Sequence, residues 1–153
     1  MPLLFIVKWI HVLAAIAAVG ANLTYGIWIS RAAREPEALP FVLRSIHVID
    51  SRLANPCYGL LLVTGLIMAY LVPIPLTTPW LLTAIVLYVL AAFLGVFAYA
   101  PTMREQRRHL EAGGFEAPDY QAAARKGTLM GILVTLDVIL IVFLMVVKPA
   151  LWG

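Results

Sequence analysis

Asp137 and His11 are the residues of this chain whose types and surroundings point to chemistry. Asp137 stands near the middle of an apolar run, residues 128–147, that is long enough to cross a bilayer. A carboxylate at the centre of a membrane helix costs roughly 2.5–3.5 kcal/mol, so it must face a partner, a cavity or another helix. His11 is the only histidine inside an apolar span. At a rise of about 1.5 Å per residue, His11 lies about 12 Å below the end of its span and Asp137 about 16 Å below Lys148. The two therefore fall within roughly one helical turn in depth. If their helices are neighbours, a carboxylate beside the imidazole fixes its tautomer. Such a pair can carry protons or orient a metal-bound imidazole, which makes both residues catalytic candidates. The same pair can also be a buried hydrogen bond that only fixes helix register.

A haem reading needs axial ligands. A His/Met pair is chemically allowed, and His11 with Met68 is the candidate cofactor-binding set; Met145 lies on the same half. The other histidines, His47 and His109, fall in charged segments on the opposite side and are read as loop or interface residues. For copper, His11, Met68 and Met145 are suitable donors without a recognisable spacing. No zinc motif, phosphate loop, nucleophile motif or carboxylate dyad is present, so no metal site is assigned. The single cysteine, Cys57, rules out an intrachain disulfide and reads as a small packing residue.

These residues need a membrane to sit in. The chain of 153 residues is 63% hydrophobic and only 12% charged, with mean hydropathy +0.94. A water-soluble domain is nearer half apolar and a quarter charged. The expectation is one integral membrane domain over residues 1–153, all-α, folded as an antiparallel four-helix transmembrane bundle. The spans fall at about residues 3–29, 55–72, 80–99 and 128–147, each close to the ~20 residues that cross the hydrocarbon. The first has no basic segment before it and runs too long for a signal peptide, so it reads as a retained helix. Pro73, Pro75 and Pro79 sit in a short uncharged link that makes spans two and three a hairpin.

The other two connections are long and basic. Arg31, Arg34, Arg44 and Arg52 lie in one; Arg104, Arg107, Arg108, Arg125 and Lys126 lie in the other. The positive-inside rule places both in the cytoplasm and both termini outside, in a bacterial cytoplasmic (inner) membrane. The formal charge of +3 is modest, and the basic residues read as topology signals facing anionic headgroups, not as a nucleic-acid surface. Phe41, Val42, Ile46, Ile49 and Leu53 have near-helical spacing, which predicts an amphipathic extension leading into span two. Asn55-Pro56 marks either a break there or a helix start, with Asp50, Arg52 and Asn55 capping or pairing locally. A second extension, residues 103–112, continues span three and stops at Gly113-Gly114. Small and polar residues mark helix contacts in membranes. His11, Ala15, Ala18, Asn22 and Tyr25 form one such stripe, and Tyr88, Ala92, Gly95 and Tyr99 another. These stripes also suit a packed bundle with no ligand.

An ordered set of strings covers nearly the whole chain: Lys8-Trp9-Ile10-His11, then Asn55-Pro56 with Leu62-Val63-Thr64-Gly65-Leu66, then Pro79-Trp80, then Val146-Val147-Lys148-Pro149. The set resembles a bacterial family of small four-helix integral membrane proteins. More distantly it resembles HemJ-type protoporphyrinogen IX oxidases and the membrane domain of copper-resistance D-type proteins. The HemJ-type resemblance implies a haem b ligand at His11. It also implies a lysine early in span three and a later histidine there; residues 80–85 read WLLTAI, and neither is present.

Three readings follow. The first is a small polytopic membrane protein with haem b or another redox ligand at His11 and Asp137 handling protons. The second is a non-enzymatic subunit or assembly factor that meets other membrane subunits or copies of itself. The third is proton-linked transport of a small solute by an oligomer.

Overall fold

The structure, a computed structural model, describes residues 2–152, and those residues contain helices and no strand. Helix α1 spans Pro2–Ala32. A short 3-10 turn, Pro36–Ala38, leads into α2, Leu39–Ile49. A π-helical segment, Asp50–Ala54, carries α2 without interruption into α3, Asn55–Leu71. Helix α4, Pro79–Leu94, passes through a second π segment, Gly95–Tyr99, into α5, Ala100–Gly113. Helix α6 spans Pro118–Val147. The chain thus forms four rods of 31, 36, 35 and 30 residues, each apolar and long enough to span a bilayer. The last three rods overrun their apolar segments at the arginine-rich end. Backbone hydrogen bonding continues there through amphipathic sequence, which hydropathy alone does not register.

Each π segment ends two residues before a proline, Pro56 in one rod and Pro101 in the other. Proline lacks the N–H that would bond the carbonyl four residues back, and its ring crowds that carbonyl. The turn before it widens instead: Asn55 N–H donates to the Asp50 carbonyl, and Ala100 N–H to the Gly95 carbonyl. This lets each rod continue through its proline. Asn55-Pro56 is therefore neither a break nor a fresh start, and the local pairing there is Asn55 Nδ2 donating to Asp50 Oδ2 at 3.5 Å, without Arg52.

Inside the apolar zone α1 packs on α3 and α4 on α6, with a lighter contact between α1 and α6. Small residues make the close approaches, as expected where the hydrophobic effect does not drive helices together. Ala14 and Ala18 are buried on α1 and Ala84 on α4. A Cβ on Gly131 would stand 3.7 Å from the Tyr99 ring. Consecutive helices α3 and α4 are antiparallel but not close-packed: no Cα of one lies within 8 Å of a Cα of the other. The small faces of both are already occupied, by α1 and by α6. At the far end Lys148 adopts a left-handed conformation (φ 51°) that stops α6, and its Nζ lies 5.2 Å from the Trp80 ring centroid.

The densest core lies outside the apolar zone, at the basic end. Ala32, Leu39, Leu43, Leu110 and Tyr120 are buried together there, and Phe115 packs on Tyr120 at 5.7 Å between centroids. Water contact restores the hydrophobic driving force at this end. On α2 the buried face is Leu39, Leu43 and Ile46, while Phe41, Ile49 and Leu53 of the expected stripe point outward. Gly113-Gly114 ends α5 as expected. Gly114 has φ +77°, and a Cβ on Gly113 would stand 2.8 Å from the Ala117 Cβ. Elsewhere Phe5, Trp9, Phe93, Phe97 and Val146 are exposed, an apolar surface suited to lipid.

Candidate functional site

His11 is half-buried on the α1 face that packs on α3. Its Nδ1 lies 2.8 Å from Thr64 Oγ1. The Thr64 hydroxyl is also 2.6 Å from the Leu60 carbonyl, one turn back on its own helix. Two acceptor oxygens do not approach that closely without a proton between them, so the single hydroxyl proton points at Leu60. Thr64 Oγ1 then accepts from His11, and Nδ1 is the donor. In the neutral ring this leaves the lone pair on Nε2. Gly65 packs beside the ring: a Cβ there would stand 3.5 Å from His11 Cε1, an ordinary contact distance. The Thr64-Gly65 pair thus fixes both the tautomer and the position of the imidazole.

Toward the basic end of the same helix pair, Asn22 donates a side-chain hydrogen bond to the Tyr58 hydroxyl. The Tyr88 hydroxyl crosses from α4 to the Tyr58 carbonyl at 2.8 Å. This bond bridges the space between α3 and α4. The Tyr25 hydroxyl is buried with no hydrogen-bond partner among the described residues. The polar stripe read along span one is therefore a ladder of half-buried His11 and Asn22 and buried Tyr25, with Thr64 and Tyr58 as the partners of the first two. Neither the Thr64 partner nor the Tyr88–Tyr58 bridge was singled out from sequence. The small and polar Thr64-Gly65 pair in span two is the signal that could have pointed to this contact.

Asp137 lies on α6, half-buried, and its Oδ2 is buried without a hydrogen-bond partner among the described residues. Gly131 stands against Tyr99 and Lys148 over Trp80, so antiparallel register sets Asp137 level with roughly Ala92. His11 is level with Thr64 and Gly65, beyond Tyr58 toward the Lys148 end. The imidazole is thus given to α3, and the structure leaves the Asp137 carboxylate apart from it. Met68 is half-buried one turn beyond Thr64 on the same helix face. His47 and His109 sit at the basic end, where the sequence placed them. His47 borders one cleft, and His109 another with Glu105, Asp119 and Lys126.

Among the described residues no group of three or more His, Cys, Asp or Glu side chains could hold a bare metal ion. A porphyrin brings four nitrogens of its own and asks the protein for only one or two axial ligands. The chain offers one imidazole, His11, held through Nδ1, toward that smaller demand.

A family model described as "Predicted integral membrane protein (DUF2269)" matches residues 5–149. No curated protein and no solved structure matches the chain.

Proposed function

This chain belongs to the DUF2269 family of predicted integral membrane proteins, and we propose that it is a small polytopic protein of a bacterial cytoplasmic membrane that binds haem b, or another macrocyclic redox ligand, through Nε2 of His11. One observation carries this reading: Thr64 accepts from Nδ1 and so reserves the Nε2 lone pair. Ligating imidazoles usually donate their other nitrogen to a fixed acceptor, which sets the tautomer and the ring plane. Bound haem would supply one-electron transfer. The chain's own residues would orient the ligand. Thr64 holds the ring, Gly65 packs against it, and Met68 stands one turn away as a soft side chain near the ligand. Asp137 lies too far along the bundle to brace His11 and would serve as a separate proton-handling group. The basic end faces the cytoplasm and both termini face out, supported by the arginine asymmetry of the connections.

The test is titration of haem into ligand-free protein in detergent. The reading expects a saturable shift of the Soret band, its loss in His11→Gly, and its return on adding free imidazole. Equal binding by His11→Gly without imidazole would overturn it.

The unpartnered Asp137 oxygen favours a second reading. A carboxylate inside a membrane helix is tolerated when it meets a partner. The partner would be another membrane subunit or a second copy of this chain, and such an assembly is also what proton-linked transport would need. Asp137→Asn should then weaken co-purification or self-association in detergent. Unchanged assembly in that variant would set this reading aside.

A further inference from the structure

The basic end holds a cleft of about 370 Å³ that the His11 site does not use. That volume lies within the usual range of ligand pockets, roughly 300–1,000 Å³. One wall is α2 with the first π segment, contributing His47, Asp50 and Ser51. The other is the second π segment with α5, contributing Tyr99, Arg104 and Arg107. Asn55 lies where the two walls meet the apolar zone. We propose that this cleft binds a phosphate-bearing group, held by the guanidinium groups of Arg104 and Arg107.

Charge and donors fit that ligand. Arg104 and Arg107 are three apart and share one face of α5. Arg104 spends its Nε on the Ala100 carbonyl at 3.3 Å, which leaves its terminal nitrogens for another partner. Arginine forks match phosphate oxygens in a bidentate way. The one carboxylate of the cleft, Asp50, already takes the Asn55 amide, and it offers its remaining capacity to a hydroxyl carried by the same ligand. Two guanidinium groups and an imidazole thus face a single carboxylate.

Position favours a lipid headgroup as the source of the phosphate. Asn55 and Tyr99 mark the ends of the apolar segments of their rods, so the cleft lies at headgroup depth. It also opens at the basic end of the space between α3 and α4, whose backbones stay more than 8 Å apart. The Tyr88–Tyr58 hydrogen bond crosses that space, so acyl chains attached to a phosphate in the cleft would lie along the exposed apolar faces of the two helices. Basic pockets between membrane helices are a known form of lipid recognition. The two π segments give the cleft its walls. Each widens its rod at the same level, and π turns recur at functional sites.

The experiment compares the purified full-length protein with Arg104→Gln/Arg107→Gln, with Arg108→Gln, and with Ser51→Trp. Arg108 is exposed and does not line the cleft, so its variant is the charge control; Ser51→Trp fills the cleft without changing charge. Each is reconstituted in phosphatidylcholine vesicles with or without phosphatidylglycerol, and retained lipid is read by native mass spectrometry after extraction. A parallel arm measures binding of inorganic phosphate and glycerol phosphate in detergent. The expected result is retention of phosphatidylglycerol by wild type and Arg108→Gln. Retention should fall roughly tenfold or more in the double variant, at about 1 kcal/mol or more per arginine, and fall likewise in Ser51→Trp. Binding of the soluble phosphates with the same arginine dependence, and no lipid retention, would support the phosphate site with a soluble ligand. Equal retention by all four proteins together with no arginine-dependent phosphate binding would overturn the proposal, as would a loss in Arg108→Gln equal to that in the double variant.

Discussion

His11 Nδ1 and Thr64 Oγ1 are 2.8 Å apart, and the hydroxyl's proton is already committed to the Leu60 carbonyl. The imidazole is therefore the donor. Thr64→Val removes the acceptor and leaves Nδ1 unsatisfied between α1 and α3. Side-chain hydrogen bonds between membrane helices are worth about 1 kcal/mol, so a stability loss of that order is expected. Nitrogen NMR of the ring should show protonated Nδ1 in wild type and in Thr64→Ser, and loss of that preference in Thr64→Val.

Asn22 and Tyr58 make the next rung of the same interface. Tyr58→Phe strands the Asn22 amide but leaves the Tyr58 backbone carbonyl for Tyr88. The expected cost is about 1 kcal/mol. A double-mutant cycle with Asn22→Ala should recover most of it as coupling, because the two residues share one bond. Additive losses would show that each residue acts through other contacts.

Asp137 predicts the opposite sign. Its buried Oδ2 has no hydrogen-bond partner among the described residues. Asp137→Leu should raise the thermal stability of the monomer in detergent, by an amount on the order of 1–3 kcal/mol. A marked loss of stability would mean that the carboxylate makes a bond this single chain does not show.

Two glycines at the end of α5 separate contact from conformation. Gly114 has φ +77° with extended ψ, a region open almost only to glycine. Gly114→Ala should cost about 1–3 kcal/mol. Gly113→Ala should also destabilise, because its Cβ would meet that of Ala117, and Ala117→Gly should rescue it. Gly59→Ala has open space and should be neutral or slightly stabilising. Thermal unfolding of the four variants decides the ranking.

Much of this architecture is legible in the sequence because hydropathy and proline placement act locally. The four apolar rods, the Gly113-Gly114 stop and the amphipathic extension before Asn55 follow from composition and spacing. The π segments do not. Asn55-Pro56 looks like a boundary, and although residues 103–112 read as continuing span three past Pro101, that each rod passes its proline by widening a turn shows only in the backbone hydrogen bonds. The choice of partner for His11 is likewise not local. Depth matching leaves Asp137 within reach of His11, whereas the register of α1 on α3 hands the ring to Thr64. The spacing on α2 shows an amphipathic extension but not which of its faces is buried: Leu39, Leu43 and Ile46 face the core, while Phe41, Ile49 and Leu53 are exposed.

The reduced-minus-oxidised optical spectrum of the protein purified from haem-replete cells, beside His11→Ala, tests the central claim most directly. A ligand at Nε2 of His11 predicts a Soret band with reducible α and β bands in wild type and their loss in a folded His11→Ala protein. A folded wild-type protein without these bands, or a His11→Ala protein that keeps them unchanged, would contradict the account.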